Sequence, residues 1–302
     1  MLSTYLKLFA VAFFWGGTFV AGRWLGGSVT PVTAAFFRFC VASIILMMAV
    51  QVKEGGLPRL TLYQAMVVVL LGATGVLGYN LFFFKGLTLI TAGRAALIIA
   101  LNPVAITLCS ALLFREALPL RRIIGVLVSL VGATVVITRG NLAAVVSEGV
   151  GRGELLICGC VLSWTLYSLI GKSAMRGLTP LAAVCWSSLA GTLLLAVPAL
   201  AQGSFSEALR FGPWTWMGIA YLGLFGTVVG FLWYFQGIQR LGAGRAAIFI
   251  NFVPVNGVLL ATLLLDESLS FALVGGGALV VVGAYLANAP GWRVVPASVE
   301  TA

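Results

Sequence analysis

The sequence contains no histidine, and only 9% of its 302 residues are charged. A soluble globular chain carries roughly 25%. Without histidine, the commonest metal ligand and the commonest general base are missing. Acids are scarce as well, eight Asp and Glu against 18 Lys and Arg. The five cysteines (Cys40, Cys109, Cys158, Cys160 and Cys185) all sit inside apolar runs, odd in number and without zinc-site spacing. Cys158 and Cys160 are two apart, so on a helix they point in different directions. All five read as small buried hydrophobes. Two nucleotide-like strings also fail. Gly171-Lys172-Ser173 has Leu166 where a phosphate loop needs glycine, and Gly242-Ala243-Gly244 with Ala247 follows no strand. These absences leave no convergent acids, no nucleophile with a base and no metal set, so an intramembrane enzyme is disfavoured. No cofactor is expected, and any energy source is a gradient.

What the chain does have is apolar residues, 61% of the total, with a mean hydropathy of +1.11. A soluble domain could not cover its surface with this composition, whereas lipid requires it. The net charge of +10 arises from Lys and Arg placed singly or in pairs between long apolar runs. That pattern marks membrane boundaries and not a nucleic-acid face. A spanning helix needs about 20 apolar residues. Cutting at charges, Pro and Gly predicts spans over 4–23, 31–51, 62–84, 92–113, 120–138, 154–172, 180–200, 213–236, 243–265 and 271–289. The first stretch runs into Trp15, Phe19 and Arg23-Trp24 with no small-residue cleavage site, and reads as a span and not as a cleaved leader.

The chain repeats itself. A shift of 149 places Trp15 on Trp164, Gly22 on Gly171, Arg23 on Lys172 and Thr30-Pro31 on Thr179-Pro180. A shift of 151 places Ala92-Gly93-Arg94-Ala95-Ala96 on residues 243–247, Pro103 on Pro254, Glu116 on Glu267, Gly125 on Gly276 and Gly132 on Gly283. The expected fold class is therefore an all-α polytopic membrane protein, with ten transmembrane helices as two inverted five-helix repeats. The first repeat covers 1–138, a linker 139–153, the second repeat 154–289 and a tail 290–302. Five is odd, so the second copy must enter from the other side. With the N-terminus inside, eleven Lys and Arg fall inside and six outside, which puts both termini in the cytoplasm. The connection after the fourth span carries Arg115, Arg121 and Arg122, whereas its second copy carries Asp266 and Glu267. Inverted repeats of this kind generate two conformations open to opposite sides.

The string Phe14-Trp15-Gly16-Gly17 with Phe19, Pro31 and Arg38-Phe39 resembles the opening of EamA-type members of the drug/metabolite transporter superfamily. So does the run Arg94-Ala95-Ala96, Pro103, Arg115-Glu116-Ala117-Leu118, Gly125 and Gly132, with its echo at Trp164, Pro254 and Asp266-Glu267. The resemblance covers about residues 5–288. It implies a central cavity lined by the first, third, fourth, sixth, eighth and ninth helices, and export or exchange of amino acids and other small organic molecules. The chain departs from internal symmetry at Ser187, which stands where the first copy has Arg38.

Residue by residue, Trp15, Thr18, Phe19 and Gly22 share one helical face, as do Trp164, Tyr167, Ser168 and Gly171. Rings stack on an organic solute and hydroxyls bond it; the bland alternative is an interface belt or helix packing. Tyr79, Asn80, Phe83 and Tyr234 are further solute-binding candidates from two aromatic clusters, some of whose members must face lipid. Asn102 and Asn251 carry amides at mid-span depth, beside Pro103 and Pro254, each of which frees a carbonyl. Arg94 and Arg245 open the same helices, where an anion would be favoured, or they mark a boundary. Arg38 lies two turns into its helix and reads as a structural tether or gating residue. Glu116 and Glu267 fit helix capping or an inter-repeat ion pair better than proton coupling, and Glu154 fits the dipole of the helix it opens. The segments around Gly125, Ser129 and Gly132, and around Gly275, Gly276 and Gly283, read as close-packed scaffold helices.

The leading reading is a secondary transporter for a small-molecule solute in the cell's inner or plasma membrane, with the bilayer as its other partner and with proton or counter-solute coupling left open. The alternatives are a multidrug or cation exporter, disfavoured because the first span has no acid, and a scaffold or channel. Two repeats can enclose a cavity without a partner, so a monomer is expected.

Overall fold

In the computed structural model the described residues are 2–102, 104–106, 109, 120–137, 140, 151–174, 177–241, 249–250 and 252–288. Every regular element among them is helical. Hydrocarbon supplies no hydrogen bonds, so a spanning backbone must satisfy itself, and a helix does so within one segment. In chain order the elements are α1 (Leu2–Leu25), α2 (Pro31–Glu54), α3 (Leu62–Leu89), α4 (Ala92–Ile99), α5 (Leu120–Ile137), α6 (Arg152–Ala174), α7 (Pro180–Ala201), short α8 (Ser204–Ala208), α9 (in three consecutive pieces, Pro213–Tyr221, Leu222–Val229 and Gly230–Leu241), α10 (Phe252–Leu265) and α11 (Phe271–Asn288). Six of these elements, α1, α2, α3, α6, α7 and α9, are long and apolar enough to cross a membrane. Shorter apolar helices lie over Ala92–Ile106, Ile123–Gly132, Phe252–Leu265 and Phe271–Gly283. The chain is an integral membrane protein.

Local chemistry sets the helix ends. Proline opens α2, α7 and α9, where its missing N–H would have had no intrahelical partner. Thr61 and Gln64 form a reciprocal cap at the start of α3, and Thr179 accepts from the Ala182 amide at 3.0 Å. Gly55 stops α2 in the left-handed conformation (φ 75°), which glycine adopts without a Cβ penalty.

Carboxylates distant in sequence complete these ends. Glu207 accepts from the Thr30 amide (2.7 Å) and from the Thr30 and Thr33 hydroxyls at the head of α2. Glu54 accepts from the Thr179 hydroxyl (2.7 Å) at the head of α7. Glu267 accepts from the Ala92 and Gly93 amides (2.8 and 3.0 Å) at the head of α4, the capping role expected of it. A negative charge there is favoured by the helix dipole.

Two features of the long helices are not visible as periodicity. Residues Gly72–Gly78 of α3 and Leu222–Val229 of α9 are π-helical. The Tyr79 amide reaches the Thr74 carbonyl and the Gly230 amide reaches that of Phe225, both five residues back. Both stretches are rich in small residues that press on neighbouring backbone. A Cβ on Gly72 would lie 2.7 Å from the Gly191 amide of α7, and one on Gly223 would lie 2.9 Å from the Arg38 carbonyl of α2. In α4 the expected span over 92–113 is interrupted. Ala100 and Leu101 form a turn in which the Leu101 amide returns to Ile98, before helix resumes at Asn102. Proline at 103 has no N–H to offer the Ile99 carbonyl four residues back, so the regular helical ladder cannot continue through this turn.

Apolar side chains occupy both interior and periphery. Leu193, Val197, Leu127, Val131 and Phe271 are exposed, as lipid-facing residues must be. Helices α5 and α11 pack through small residues as expected, with Gly132 against the Gly276 carbonyl and Gly283 against Gly125 and Ser129. Ser129 donates to the Val280 carbonyl at 3.3 Å across the same contact. A Cβ on Gly132 would lie 2.6 Å from backbone, whereas one on Gly275 would meet nothing within 4 Å. Gly132→Leu is therefore expected to destabilise the fold by about 1–3 kcal/mol, read as a lower melting temperature in detergent. Gly275→Leu on the opposed helix should leave the temperature nearly unchanged, and equal effects would contradict this packing.

Candidate functional site

The helical spacing of Trp15, Thr18 and Phe19 brings all three to the inner face of α1, where each is buried. Trp164 of α6 meets Trp15 edge to face, with centroids 5.6 Å apart. Trp15 Nε1 donates to the Gly226 carbonyl (3.0 Å), in the π-helical stretch of α9, and Thr18 Oγ1 returns a bond to the Trp15 carbonyl (2.6 Å). A buried indole N–H needs such a partner. The irregular turn of α9 supplies it, because widened helical turns leave carbonyls available.

Around this junction lies a small cavity of about 40 Å³, room for a few water molecules. Its rings are Trp15, Phe19, Tyr79, Phe83, Trp164 and Phe231, and Ile99, Ile250 and Val253 add aliphatic surface. Four polar side chains reach it, those of Thr18, Arg38, Asn80 and Asn102. Tyr79 stacks on Phe83 at 5.8 Å and also packs on Trp164 at 5.5 Å, so the rings of α3 and α6 form one wall. Phe19 meets Phe83 at 5.3 Å from the opposite helix.

The electrostatic centre is Arg38, 4% exposed. Its Nε donates to Thr227 Oγ1 (3.0 Å) and its Nη1 to Asn80 Oδ1 (2.9 Å). Asn80 is itself fixed, donating to the Val76 carbonyl at 2.8 Å, and Thr227 donates to the Leu222 carbonyl at 3.2 Å. Both accepting carbonyls belong to the π-helical stretches of α3 and α9. No carboxylate among the described residues is within ion-pair distance of Arg38; the one ion pair among them joins Arg94 to Glu154 at 2.7 Å.

Eight sequence-predicted binding residues line the cavity, namely Trp15, Thr18, Phe19, Tyr79, Asn80, Phe83, Asn102 and Trp164. Tyr167 stands behind Trp164, centroids 5.1 Å apart, with its buried hydroxyl beside Ser187. Tyr234 packs on Trp15 at 5.3 Å but faces a smaller adjoining space with Leu8, Val11 and Phe249. Ser168 is half-buried and does not line the cavity. Arg94 is likewise not on the cavity wall. It joins the start of α4 to the start of α6 through Glu154, so Glu154 does more than complement a dipole. Pro254 is buried in α10, whereas Pro103, Glu116, Arg245 and Asn251 lie outside the described residues. The α2 helix contributes Arg38 to a wall expected from other helices.

Sequence reasoning passed over Ile99, Phe231, Ile250, Val253 and Thr227. Two of these had a signal. A shift of 151 places Asn80 on Phe231 and Asn102 on Val253, so both were marked by position though not by polarity. Among the described residues no cluster of metal-ligating side chains exists.

Comparison with known proteins agrees with this architecture. The model of the EamA-like transporter family matches the chain twice, over residues 2–138 and 151–289. A Bacillus subtilis (strain 168) protein named uncharacterized transporter YyaM is 26% identical over 287 residues, covering 95% of this chain and 94% of its own. A Streptantibioticus cattleyicolor protein named probable terminal-alkyne amino-acid exporter is 26% identical over 253 residues, covering 83% of this chain and 82% of its own. A solved crystal structure, 23% identical, superposes with a TM-score of 0.67 and covers 94% of this chain and 96% of that one, a likeness of fold. A family model that matches nearly the whole chain, in two consecutive copies, places this membrane protein among transporters and not enzymes: the chain belongs to the EamA-like transporter family.

Proposed function

We propose that the protein is a secondary active transporter, an exporter or exchanger of a small organic metabolite such as an amino acid or a related compound. It works by alternating access between two inverted five-helix repeats, ten spans in all, over 1–138 and 154–289 with 139–153 between them. The observation that carries this reading is the cavity at the Trp15–Trp164 junction, walled by residues from both halves of the chain.

Contacts at the duplication offsets support the repeat. Trp15 touches Trp164, Ser43 Oγ lies 3.0 Å from Thr192 Oγ1, and Ser129 bonds Val280. The separations are 149, 149 and 151 residues, the shifts of the internal repeat. Residues equated by a twofold meet each other only where they lie on its axis. The π-helical stretches also recur about 150 residues apart. The double family match and the amino-acid exporter name of one relative point the same way.

Trp15, Thr18, Phe19, Tyr79, Asn80, Phe83, Asn102 and Trp164 are assigned to solute contact, with Tyr167 and Tyr234 bracing the indoles from behind. The pair Arg94–Glu154 and the Glu267 clasp tie α4 to α6 and to the α10–α11 connection, and are assigned to closing one mouth of the cavity. The protein acts as a monomer in the cell membrane, with both termini in the cytoplasm, as the eleven-to-six charge distribution favours.

Two outcomes test this. In proteoliposomes, Trp164→Ala and Tyr79→Ala should each cut flux of a carried amino acid by about tenfold or more, the loss of an aromatic contact worth a kcal/mol or two, while monodisperse yield is kept. Unchanged kinetics in both would remove them from the site. For topology, alkaline phosphatase fused after Gly203 should be active and after Gly56 inactive, since equivalent loops of inverted repeats face opposite sides. Equal activity at the two positions would contradict inversion.

A further inference from the structure

We propose that Arg38 is the anchor for a carboxylate on the transported solute and that the Asn102 amide makes a second polar contact beside it. This rests on the transport reading above and names the head group that the cavity selects.

A guanidinium two turns inside a spanning helix is costly unless compensated, and the usual remedy is an acid. Here the described acids stand at helix ends, with Glu54, Glu154, Glu207 and Glu267 engaged there. Arg38 instead has two neutral acceptors, Thr227 on Nε and Asn80 on Nη1. Both acceptors are themselves held by backbone carbonyls, so the plane of the guanidinium is fixed. Among the described residues its third nitrogen, Nη2, has no acceptor, and it lies beside Gly226, where a side chain would come within 3.2 Å of it. A mere tether would use the whole fork. This arrangement orients the fork and leaves its charge uncancelled at a cavity wall.

Asn102 supplies an independent observation. It is 2% exposed, lines the same cavity, and among the described residues its Oδ1 has no hydrogen-bond partner. A buried acceptor left unmade is unfavourable unless something else fills it. An uncancelled cation and an unpaired acceptor on one cavity match a carboxylate and an adjacent ammonium or other N–H donor.

The internal duplication adds a direction. The counterparts of Arg38, Asn80 and Asn102 are Ser187, Phe231 and Val253, so the second half offers apolar surface where the first offers charge and amides. The head group therefore faces α2, α3 and the segment after α4, and the apolar body faces Trp164, Phe231 and Val253. A planar carboxylate suits the guanidinium fork, and a cationic amine without one would meet only repulsion.

The test uses the purified full-length protein in detergent and four probes built on one skeleton: L-phenylalanine, its amide, phenethylamine and 3-phenylpropionate, with the leucine series alongside. Calorimetry and thermal stabilisation report binding. The wild type should bind the two acids at least about tenfold tighter than the amide or amine, as expected for one charged hydrogen-bonded contact. In Arg38→Gln the acids should fall to the level of the amide, and in Arg38→Lys, which keeps charge but not the fork, they should fall part of the way. Asn102→Ala should narrow the preference for L-phenylalanine over 3-phenylpropionate while the preference for acids over amines persists. Amides or amines binding the wild type as tightly as acids would overturn the proposal, as would an undiminished acid preference in Arg38→Gln or no acid binding in either series. Acid-selective binding without flux in proteoliposomes would instead refute the transport reading and leave the anchor standing. Flux of solutes lacking a carboxylate would do the reverse.

Discussion

Hydrocarbon accepts no hydrogen bond, and the rest of the structure depends on that constraint. It forces the spanning backbone into helices, and it makes every helix end and interior polar group costly unless a partner is found. The ends are answered by carboxylates remote in sequence, Glu207 for α2, Glu54 for α7 and Glu267 for α4. These bonds cap and connect at once, because each acid comes from the other half of the chain. The interior is answered by irregular backbone. The π-helical stretches of α3 and α9 present carbonyls that receive Trp15, Asn80 and Thr227, and through the last two they hold Arg38. Backbone irregularity and side-chain polarity are thus two parts of one arrangement beside the cavity.

Close approach is the second requirement. Between helices in lipid, apolar burial gives no advantage over contact with the acyl chains, so association rests on packing and on interhelical hydrogen bonds. Glycines on α3, α7, α9, α5 and α11 let backbones meet. The tightest backbone contacts, at Gly132 and Gly283, join α5 to α11, whose sequences match at the shift of 151. The two halves are unequal in chemistry, since Arg38, Asn80 and Asn102 have no polar counterpart in the sequence of the second beyond the small hydroxyl of Ser187.

Much of this was legible in the sequence, for physical reasons. Apolar runs of spanning length must be helices, and their boundaries followed Thr-Pro, Gly and basic residues, as at Thr30-Pro31 and Thr179-Pro180. Helical spacing alone put Trp15, Thr18 and Phe19 on one face, and the polarity of Asn80 and Asn102 at mid-span depth marked them as needing partners. Other features were out of reach. A π turn adds one residue per turn without changing composition, so Gly72–Gly78 looked like ordinary helix. Arg94 looked like an anion site at a helix head, but its anion is Glu154, sixty residues away in sequence and adjacent only once α6 packs on α4. Phe231 was hidden among aromatics that lipid would equally accept, and only its position opposite Asn80 in the repeat distinguished it.

The central claim is that this cavity is reached from each side of the membrane in turn. The most direct measurement places a single cysteine at Ile99, a wall residue 5% exposed, in a background with the five native cysteines replaced, and labels it in oriented membranes with an impermeant thiol reagent. Alternating access predicts labelling from either face when the reagent is offered on that face alone, with protection by saturating solute. Labelling from one face only, in a protein that still transports, would contradict it.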